Sequence, residues 1–316
     1  MFNKFLSFLA ASFALTGAVS AAERVESYEW LVGDAPIIKV EAFKGTIRVE
    51  PAESGKVELS LEAQASGRNA ERWLERLTVK ASPFGAGLVT AVKRASWGVE
   101  FTTDHLPMRD ITLVLRVPQP CALDLKTGFG HIEVANEFRG NTRARVSTGD
   151  IFIGRVDGSV NAVTQSGNVI ISRASGDVTA RSHLGDLQVG NVKGQANLRA
   201  DHGNIDVVNS VGGLKAKSVN GNITAGMSLE ISGDTHLEAA VGDVFVAIDP
   251  DSFLDVRART TWGKVNSALD LQGVDAKSGD SQLRGLLNGG GALMALLAKG
   301  GDVHIKSVPT YGMYFD

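Results

Sequence analysis

Gly149-Asp150-Ile151-Phe152-Ile153, Gly167-Asn168-Val169-Ile170-Ile171, Gly185-Asp186-Leu187-Gln188-Val189, Gly203-Asn204-Ile205-Asp206-Val207 and Gly221-Asn222-Ile223-Thr224-Ala225 follow one another at a step of 18 residues. Fainter copies begin halfway between, at Gly158, Gly176, Gly194 and Gly212, so the underlying step is nine. A short, regular period of this kind marks a stacked architecture, in which each repeat completes its core against its neighbours.

Numbered from each glycine, positions two and four of the stronger copies are apolar: Ile151 and Ile153, Val169 and Ile171, Leu187 and Val189, Ile205 and Val207, Val244 and Val246. In the fainter copies the same positions are small or apolar: Val160 and Ala162, Val178 and Ala180, Ala196 and Leu198, Leu214 and Ala216. A period of two puts both on one face of a strand, pointing inward. Position six of the fainter copies is small (Thr164, Ser182, Ala200, Ser218), which suits a narrow edge where one sheet turns into the next. The expected fold is therefore all-β: a parallel β-solenoid with 18-residue coils of two short strands. Each strand should pair with its counterpart in the next coil, about 4.8 Å away. Glycine recurs where a corner needs a positive φ or a crowded backbone, and the Asp or Asn after it is expected to bond its own turn. The step loosens around Gly226 to Glu230, at Asp249-Pro250-Asp251, and between Val265 and Gly289. Leu293 to Ile305 then reads as the last coil, with Ala292 to Ala298 as a strand rather than a helix.

From Glu23 to Val117 strand-like alternation persists at irregular spacing, as in Ile37 to Ala42, Gly45 to Val49, Gly55 to Leu61, Leu88 to Val92 and Ile111 to Val117. Among these, Ala70, Trp73, Leu74 and Leu77 recur at helical spacing and predict one short helix from Asn69 to Leu77, with Asn69 as N-cap. Pro118 and Pro120 punctuate the entry to the repeats. These changes of texture divide the chain into residues 22–117, an irregular β region with a short helix, residues 118–308, the solenoid repeats, and a tail at 309–316.

Residues 1–21 read as a signal peptide, with Lys4 in the basic start, Phe5 to Val19 as the apolar stretch, and Val19-Ser20-Ala21 as the small-residue cleavage pattern. The apolar run is too short and too often interrupted to span a bilayer. The mature chain is expected to be exported, to the periplasm or beyond the cell, without a membrane span. Removing the segment takes away only Lys4, which moves the net charge from −3 to −4. Such a balance gives no reason to expect nucleic acid as a partner. Cys121 is the sole cysteine, so no intramolecular disulfide is available and stability rests on burial.

Val117-Pro118 at the entry, the alternating run Leu123-Asp124-Leu125-Lys126-Thr127, the Gly-Asp/Asn-apolar corners, and Asn288-Gly289-Gly290-Gly291 ahead of Gly301-Asp302-Val303 resemble the bacterial putative-adhesin family of β-solenoid domains, similar in style to auto-transporter adhesin heads. The resemblance spans residues 30–308. It implies a β-solenoid and carries no defined activity.

Candidate sites were weighed against turn and surface chemistry. The column Asp150, Asn168, Asp186, Asn204, Asn222, Asp243 and Asp302 offers carboxylates along the stack, but calcium-binding nine-residue repeats use several glycines each, and one per nine points to turns. His183, Asp201 and His202 fall at adjacent corner positions with no further ligand placed beside them, which favours a solvated corner over a metal or acid–base site. Gly128-Phe129-Gly130 lacks the strand–loop–helix setting of a dinucleotide site and reads as a turn. No metal or cofactor is expected.

The outward positions of the stronger strands, Phe152, Ile170, Gln188, Asp206, Thr224, Phe245 and His304, contain one carboxylate, which is too few for a polysaccharide lyase or glycosidase. The outward side of the fainter strands is basic. Arg143, Arg145, Arg181, Arg199, Lys215, Lys217, Arg257 and Arg259 form the candidate binding face, with a spacing that suits an anionic envelope polymer, while Phe152 with Ile170 offers a possible contact for an envelope protein. The function expected is a non-enzymatic, adhesin-like envelope module, structural or binding. A carbohydrate-active enzyme on the same scaffold is the alternative.

Overall fold

A computed structural model describes residues 21–52, 55–66, 70–84, 87–94, 108–227, 231–273 and 280–308. Residues 1–20 of the expected signal segment, Asn69 and the tail 309–316 lie outside the described residues. The chain is nearly all β-strand and forms the expected parallel β-solenoid. It parts into two compact units between Ser147 and Thr148.

The second unit carries the repeat in its most regular form. Ile151–Asp157, Val169–Ala174, Leu187–Val192, Ile205–Ser210 and Ile223–Met227 make one parallel sheet, and Val160–Ser166, Val178–Leu184, Ala196–His202 and Leu214–Asn220 make the other. The register is 18 residues at each step: Ile151 lies opposite Val169, Val169 opposite Leu187, Leu187 opposite Ile205 and Ile205 opposite Ile223. The two inward positions of every copy are buried, as the alternation requires. Each branched side chain taken out of water there contributes about 1.5–3 kcal/mol, and no coil can do so without its neighbours.

The corners show what fixes the step. Gly185 has a φ of +141°, and a Cβ built on it would overlap the carbonyl of Gly167 one coil away. Both conditions exclude other residues. The sequence leads to the expectation that the residue after each such glycine bonds its own turn; the structure shows its side chain bonding the next coil. Asp150 Oδ1 accepts the Asn168 backbone N–H (2.7 Å), Asn168 Oδ1 that of Asp186 (2.8 Å), Asp186 Oδ1 that of Asn204 (2.7 Å), and Asn204 Oδ1 that of Asn222 (2.9 Å). The reason is geometric: stacking brings the same N–H of the following coil within reach of the side chain. Position six also does more than keep the edge narrow. Thr164 Oγ1 donates to the Gly149 carbonyl (3.0 Å), Ser182 Oγ to that of Gly167 (2.9 Å), and Ser218 Oγ to that of Gly203 (3.0 Å). Ala200 occupies this place once, buried and without a hydroxyl.

The stacking order departs from the sequence order after Ile248. Thr235–Val241 and Val244–Ile248 follow normally, Lys215 lying opposite His236 and Ile223 opposite Val244. The next layer is not Leu254–Thr260 but Ala292–Ala298 with Val303–Ser307, which pair with Thr235–Val241 and Val244–Ile248. Leu254–Thr260 and Val265–Ser267 then lie outside them. The coil read as the last of the stack is thus the last but one, inserted between two coils that precede it in the chain. The corner ladder follows the same path, from Asn222 to Asp243 (2.9 Å), Asp243 to Asp302 (2.8 Å) and Asp302 to Lys264 (2.8 Å). Lys264 gives its N–H but has no side-chain acceptor for a further rung, so its coil closes the stack. Gln282–Leu287 pairs antiparallel with Leu254–Thr260 on that end. The chain returns through Asn288-Gly289-Gly290, all three at positive φ (51°, 86°, 87°). The Asn288 amide donates to the carbonyls of Pro250 (2.8 Å) and Ser252 (2.9 Å), tying this turn to the link that skips a layer.

In the first unit, repeat-like stacking reaches further toward the amino terminus than the glycine pattern indicates. Ile37–Lys44 and Thr46–Ala52, on either side of Gly45 (φ +124°), pair in parallel with Ala122–Phe129 and Ile132–Val134. On their other side they pair in parallel with Gly87–Arg94 and Met108–Pro118. The sequence pattern changes at 117/118, yet the strands on either side of that point interdigitate, and the compact units part only at Ser147/Thr148. Antiparallel strands finish both sheets: Lys56–Ser66 and then Ala21–Leu31 on one, Leu77–Phe84 on the other. The helix is shorter than its periodicity suggests, Ala70–Glu75, with Ala70 and Leu74 buried. Leu77 is buried instead as the first residue of a strand, where Thr78 and Val79 favour extended backbone. The Arg24 guanidinium closes the helix end by donating to the carbonyls of Leu74 and of Leu77 (2.9 Å).

Two substitutions test the corner chemistry. Ser182→Ala should cost about 1 kcal/mol in urea denaturation by taking its donor from a partly buried carbonyl, and Ala200→Ser should gain up to a similar amount. Asp186→Ala should also cost about 1 kcal/mol. Asp186→Asn keeps the acceptor and should stay within about 0.5 kcal/mol of the parent, with no change on adding a chelator; a metal-dependent loss in Asp186→Asn would contradict the ladder.

Candidate binding face

Along strands Val178–Leu184, Ala196–His202 and Leu214–Asn220 the odd-numbered residues point outward, because the even-numbered ones fill the core as far as Ser182, Ala200 and Ser218. Their parallel register sets Arg181 opposite Arg199 and Arg199 opposite Lys217. Successive cations therefore sit about one strand spacing apart, near 4.8 Å. Like charges so close need carboxylates between them, and two are present. Asp201 accepts from Arg199 (3.0 Å), and Glu238, next in register after Lys217, accepts from Lys217 (3.1 Å) and from Lys299 (2.8 Å). The hydrogen bond from Lys299, helped by the one from Lys217, holds the Glu238 carboxyl below its ordinary range, with burial opposing.

The eight basic residues of the sequence reading do not make one column. Arg143 and Arg145 stand on Thr142–Thr148, Arg145 at 3.5 Å from Asp124. Arg181, Arg199 and Lys217 are contiguous, and Lys215 belongs to the neighbouring column, opposite Asn197 and His236. Arg259 is separated from Lys217 by Glu238 and Leu297. Arg257 binds Asp255 (2.5 Å) and lies opposite Arg284. Among the described residues Arg143, Arg181, Lys215 and Arg259 make no ion pair. Glycine counting could not anticipate the contribution of Lys299, because the inserted coil brings it beside Glu238. Lys264 is the accompanying sequence signal: it stands where the ladder of the stronger corners otherwise carries Asp or Asn, and its coil ends that ladder.

His183, Asp201 and His202 do come together. His183 Nδ1 lies 3.0 Å from Asp201 Oδ2, the two imidazoles meet edge to face at 5.7 Å, and His202 Nδ1 lies 3.0 Å from the Asn220 amide. Asp201 is spent on His183 and Arg199, and no group of three or more His, Cys, Asp or Glu among the described residues is arranged to hold a metal. On the opposite sheet Phe152 lies opposite Ile170, and Phe245 stacks on His304 at 4.8 Å. Asp206 has Gln188 and Thr224 as register neighbours, so no second carboxylate adjoins it in that column. Cys121 is buried, and desolvation pushes its thiol up to about 12.

The Asp201 carboxyl is held below the ordinary range, first by the hydrogen bond from His183 and then by Arg199, with burial opposing. A lowered carboxyl stabilises the fold above its unfolded pKa, and the contribution disappears as pH falls through the folded value. A carbon-detected NMR titration should place Asp201 below about 3.9, the ordinary Asp value. His183→Ala should raise its midpoint more than Arg199→Ala does; the reverse order would show that the arginine dominates.

No curated protein matches the sequence. Among solved structures, the chain is similar to a "putative adhesin" from Bacteroides fragilis, with 13% identity over 90% of this chain and 97% of that one and a TM-score of 0.44. It is similar also to a "putative lipid binding protein" from Parabacteroides distasonis, with 11% identity, 90% and 96% coverage and a TM-score of 0.42. A "putative cell adhesion protein" from Clostridium sporogenes shares 10% identity, with 90% and 100% coverage and a TM-score of 0.23. The sequence itself matches the Toastrack DUF4097 family over residues 37–306, and the chain belongs to that family.

Proposed function

We propose that the protein is an exported, non-enzymatic module of the cell envelope that binds an anionic surface polymer, such as an envelope glycan or lipopolysaccharide. The polymer lies along the sheet that carries Arg181, Arg199 and Lys217. The observation that supports this reading is the register, which repeats a cation at the strand spacing on three successive coils. With Lys215 added, the patch sets four cations against Asp201 and Glu238, so it stays positive on a chain of net charge −3. The carboxylates restrain Arg199 and Lys217 and lower the entropy lost when a polymer takes them up. Arg181 makes no ion pair among the described residues and can meet a phosphate or carboxylate first. A polysaccharide-cleaving activity is disfavoured, because Asp206 stands between Gln188 and Thr224 without an acidic partner in its column.

Retention on immobilised lipopolysaccharide at low salt is the direct measurement. Arg181→Glu combined with Arg199→Glu should weaken it by about tenfold or more, since two cations become two anions. The parent's binding should also fall steeply as salt rises toward 1 M, where the Debye length shrinks to about 3 Å. Equal retention of parent and double variant would remove the basis of this reading.

A further inference from the structure

We propose that strand Ala21–Leu31 is a homodimerisation edge, along which a second copy of the chain pairs antiparallel about a two-fold axis at Val25. The inner side of this strand is bonded to Lys56–Ser66 from Ala21 opposite Ser66 to Leu31 opposite Lys56. Its outer side pairs with no strand among the described residues. An edge of eleven residues presents a row of backbone donors and acceptors, which folded proteins ordinarily blunt with proline, charged side chains (lysine above all), shortness or a cover.

The other three outermost strands are blunted in these ways. Leu77–Phe84 contains Lys80 and Pro83. Val265–Ser267 has three residues. Gln282–Leu287 carries Arg284 and Gly285, and Gln272 bonds Leu286 on its outer side. Ala21–Leu31 contains no Pro, Gly or Lys; its charged residues are Arg24 and three Glu, and Arg24 and Glu26 complement one another in a register with the axis at Val25.

Side-chain contacts also hold this strand in place in advance. Residues 24, 26, 28 and 30 share one face, where Arg24 grips Glu26 and the end of the helix, Tyr28 bonds Glu26, and Tyr28 stacks on Trp30 at 5.7 Å. A preformed edge loses little entropy on pairing. The other face presents Glu23, Val25, Ser27, Glu29 and Leu31, with Val25 42% and Leu31 76% exposed.

Charge selects the register. A two-fold axis perpendicular to the sheet keeps faces matched. An axis at Glu26 sets Glu26 against Glu26 and Glu23 against Glu29, and an axis at Arg24 sets Arg24 against itself; like charges opposite one another oppose pairing. An axis at Ser27 puts Arg24 opposite Trp30 and brings no opposite charges together. With the axis at Val25, Arg24 of each copy faces Glu26 of the other, twice by symmetry. Val25 then meets Val25 at the centre, Glu23 faces Ser27, and Ala22 faces Tyr28. This interface uses residues remote in sequence from the basic sheet and does not depend on the polymer-binding reading.

Sedimentation velocity of the purified protein across a concentration series should show a monomer–dimer equilibrium. Val25→Lys, at a half-exposed position, should weaken dimerisation at least about tenfold by setting two like charges at the axis, with an unchanged urea transition showing that the fold is intact. Val25→Cys should form an interchain disulfide under mild oxidation while Ser27→Cys does not, Cys121 being buried. A parent that stays monomeric at every concentration overturns the proposal. So does a Val25→Lys variant that dimerises as the parent does, or cross-linking through Ser27→Cys in preference to Val25→Cys.

Discussion

Every layer of the second unit has to repeat one contact, the approach of a corner glycine to the carbonyl of the corner below it. A β-carbon at Gly185 would overlap the Gly167 carbonyl, and the positive φ excludes other residues as well. The requirement of the backbone and the requirement of the stack therefore coincide at one position. From that contact the rest follows. The glycine sets the layer height, the height brings the next N–H within reach of the Asp or Asn oxygen, and the inward hydroxyl of Ser182 or Thr164 satisfies the corner carbonyl from inside. Parallel strands held at that height must then bury their alternate residues against the same residues of the neighbouring coil. The fold rests on a repeated corner more than on any one large core residue.

Such a mechanism explains which parts of the structure can be read from sequence. Whatever is repeated leaves a periodic trace, so the strands, their register and their inward faces were legible from Gly149 to Gly221. Asp and Asn were recognisable as corner residues, but the target of their hydrogen bond was not, because a bond to the same turn and a bond to the next layer require the same residue type. Position six was legible as small; that its hydroxyl serves the Gly167 carbonyl depends on a distance that only stacking creates.

Stack order is the clearest case of information that a period cannot carry. Ala292–Ala298 has the same alternation whether it ends the stack or lies inside it, and pairing on both faces is a tertiary outcome. Within the ladder of the stronger corners, one residue accompanies the difference. Asp302 bears an acceptor and is followed in space by another layer, whereas Lys264 bears none and is not. The basic face suffered from the same ambiguity. Eight cations at plausible outward positions reduce to three contiguous ones, since Glu238 and the inserted strand interrupt the column before Arg259. The Arg199–Asp201 pair was not anticipated, because sequence alternation assigns an orientation to each strand residue but not the reach of a long side chain to its neighbour two positions on.

A parallel stack also has to stop, and stopping requires chemistry that the repeat itself lacks. Any coil competent to receive a neighbour offers an open edge, so the terminal strands must break the pattern. In the second unit this is done with Lys264 and with an antiparallel strand, Gln282–Leu287, whose outer side is engaged by Gln272. In the first unit the same device recurs: Lys56–Ser66 and Leu77–Phe84 reverse the chain direction and end the parallel pairing of Met108–Pro118 and Gly87–Arg94. Reversal ends the solenoid register, but it does not remove the edge; it transfers it to the next strand outward. For one sheet that strand carries Lys80 and Pro83, which are poor partners for another chain. For the other it is Ala21–Leu31, braced against the helix end through Arg24 and free of both residues. Blunting on one side with openness on the other is what a protein that associates through a single defined edge requires.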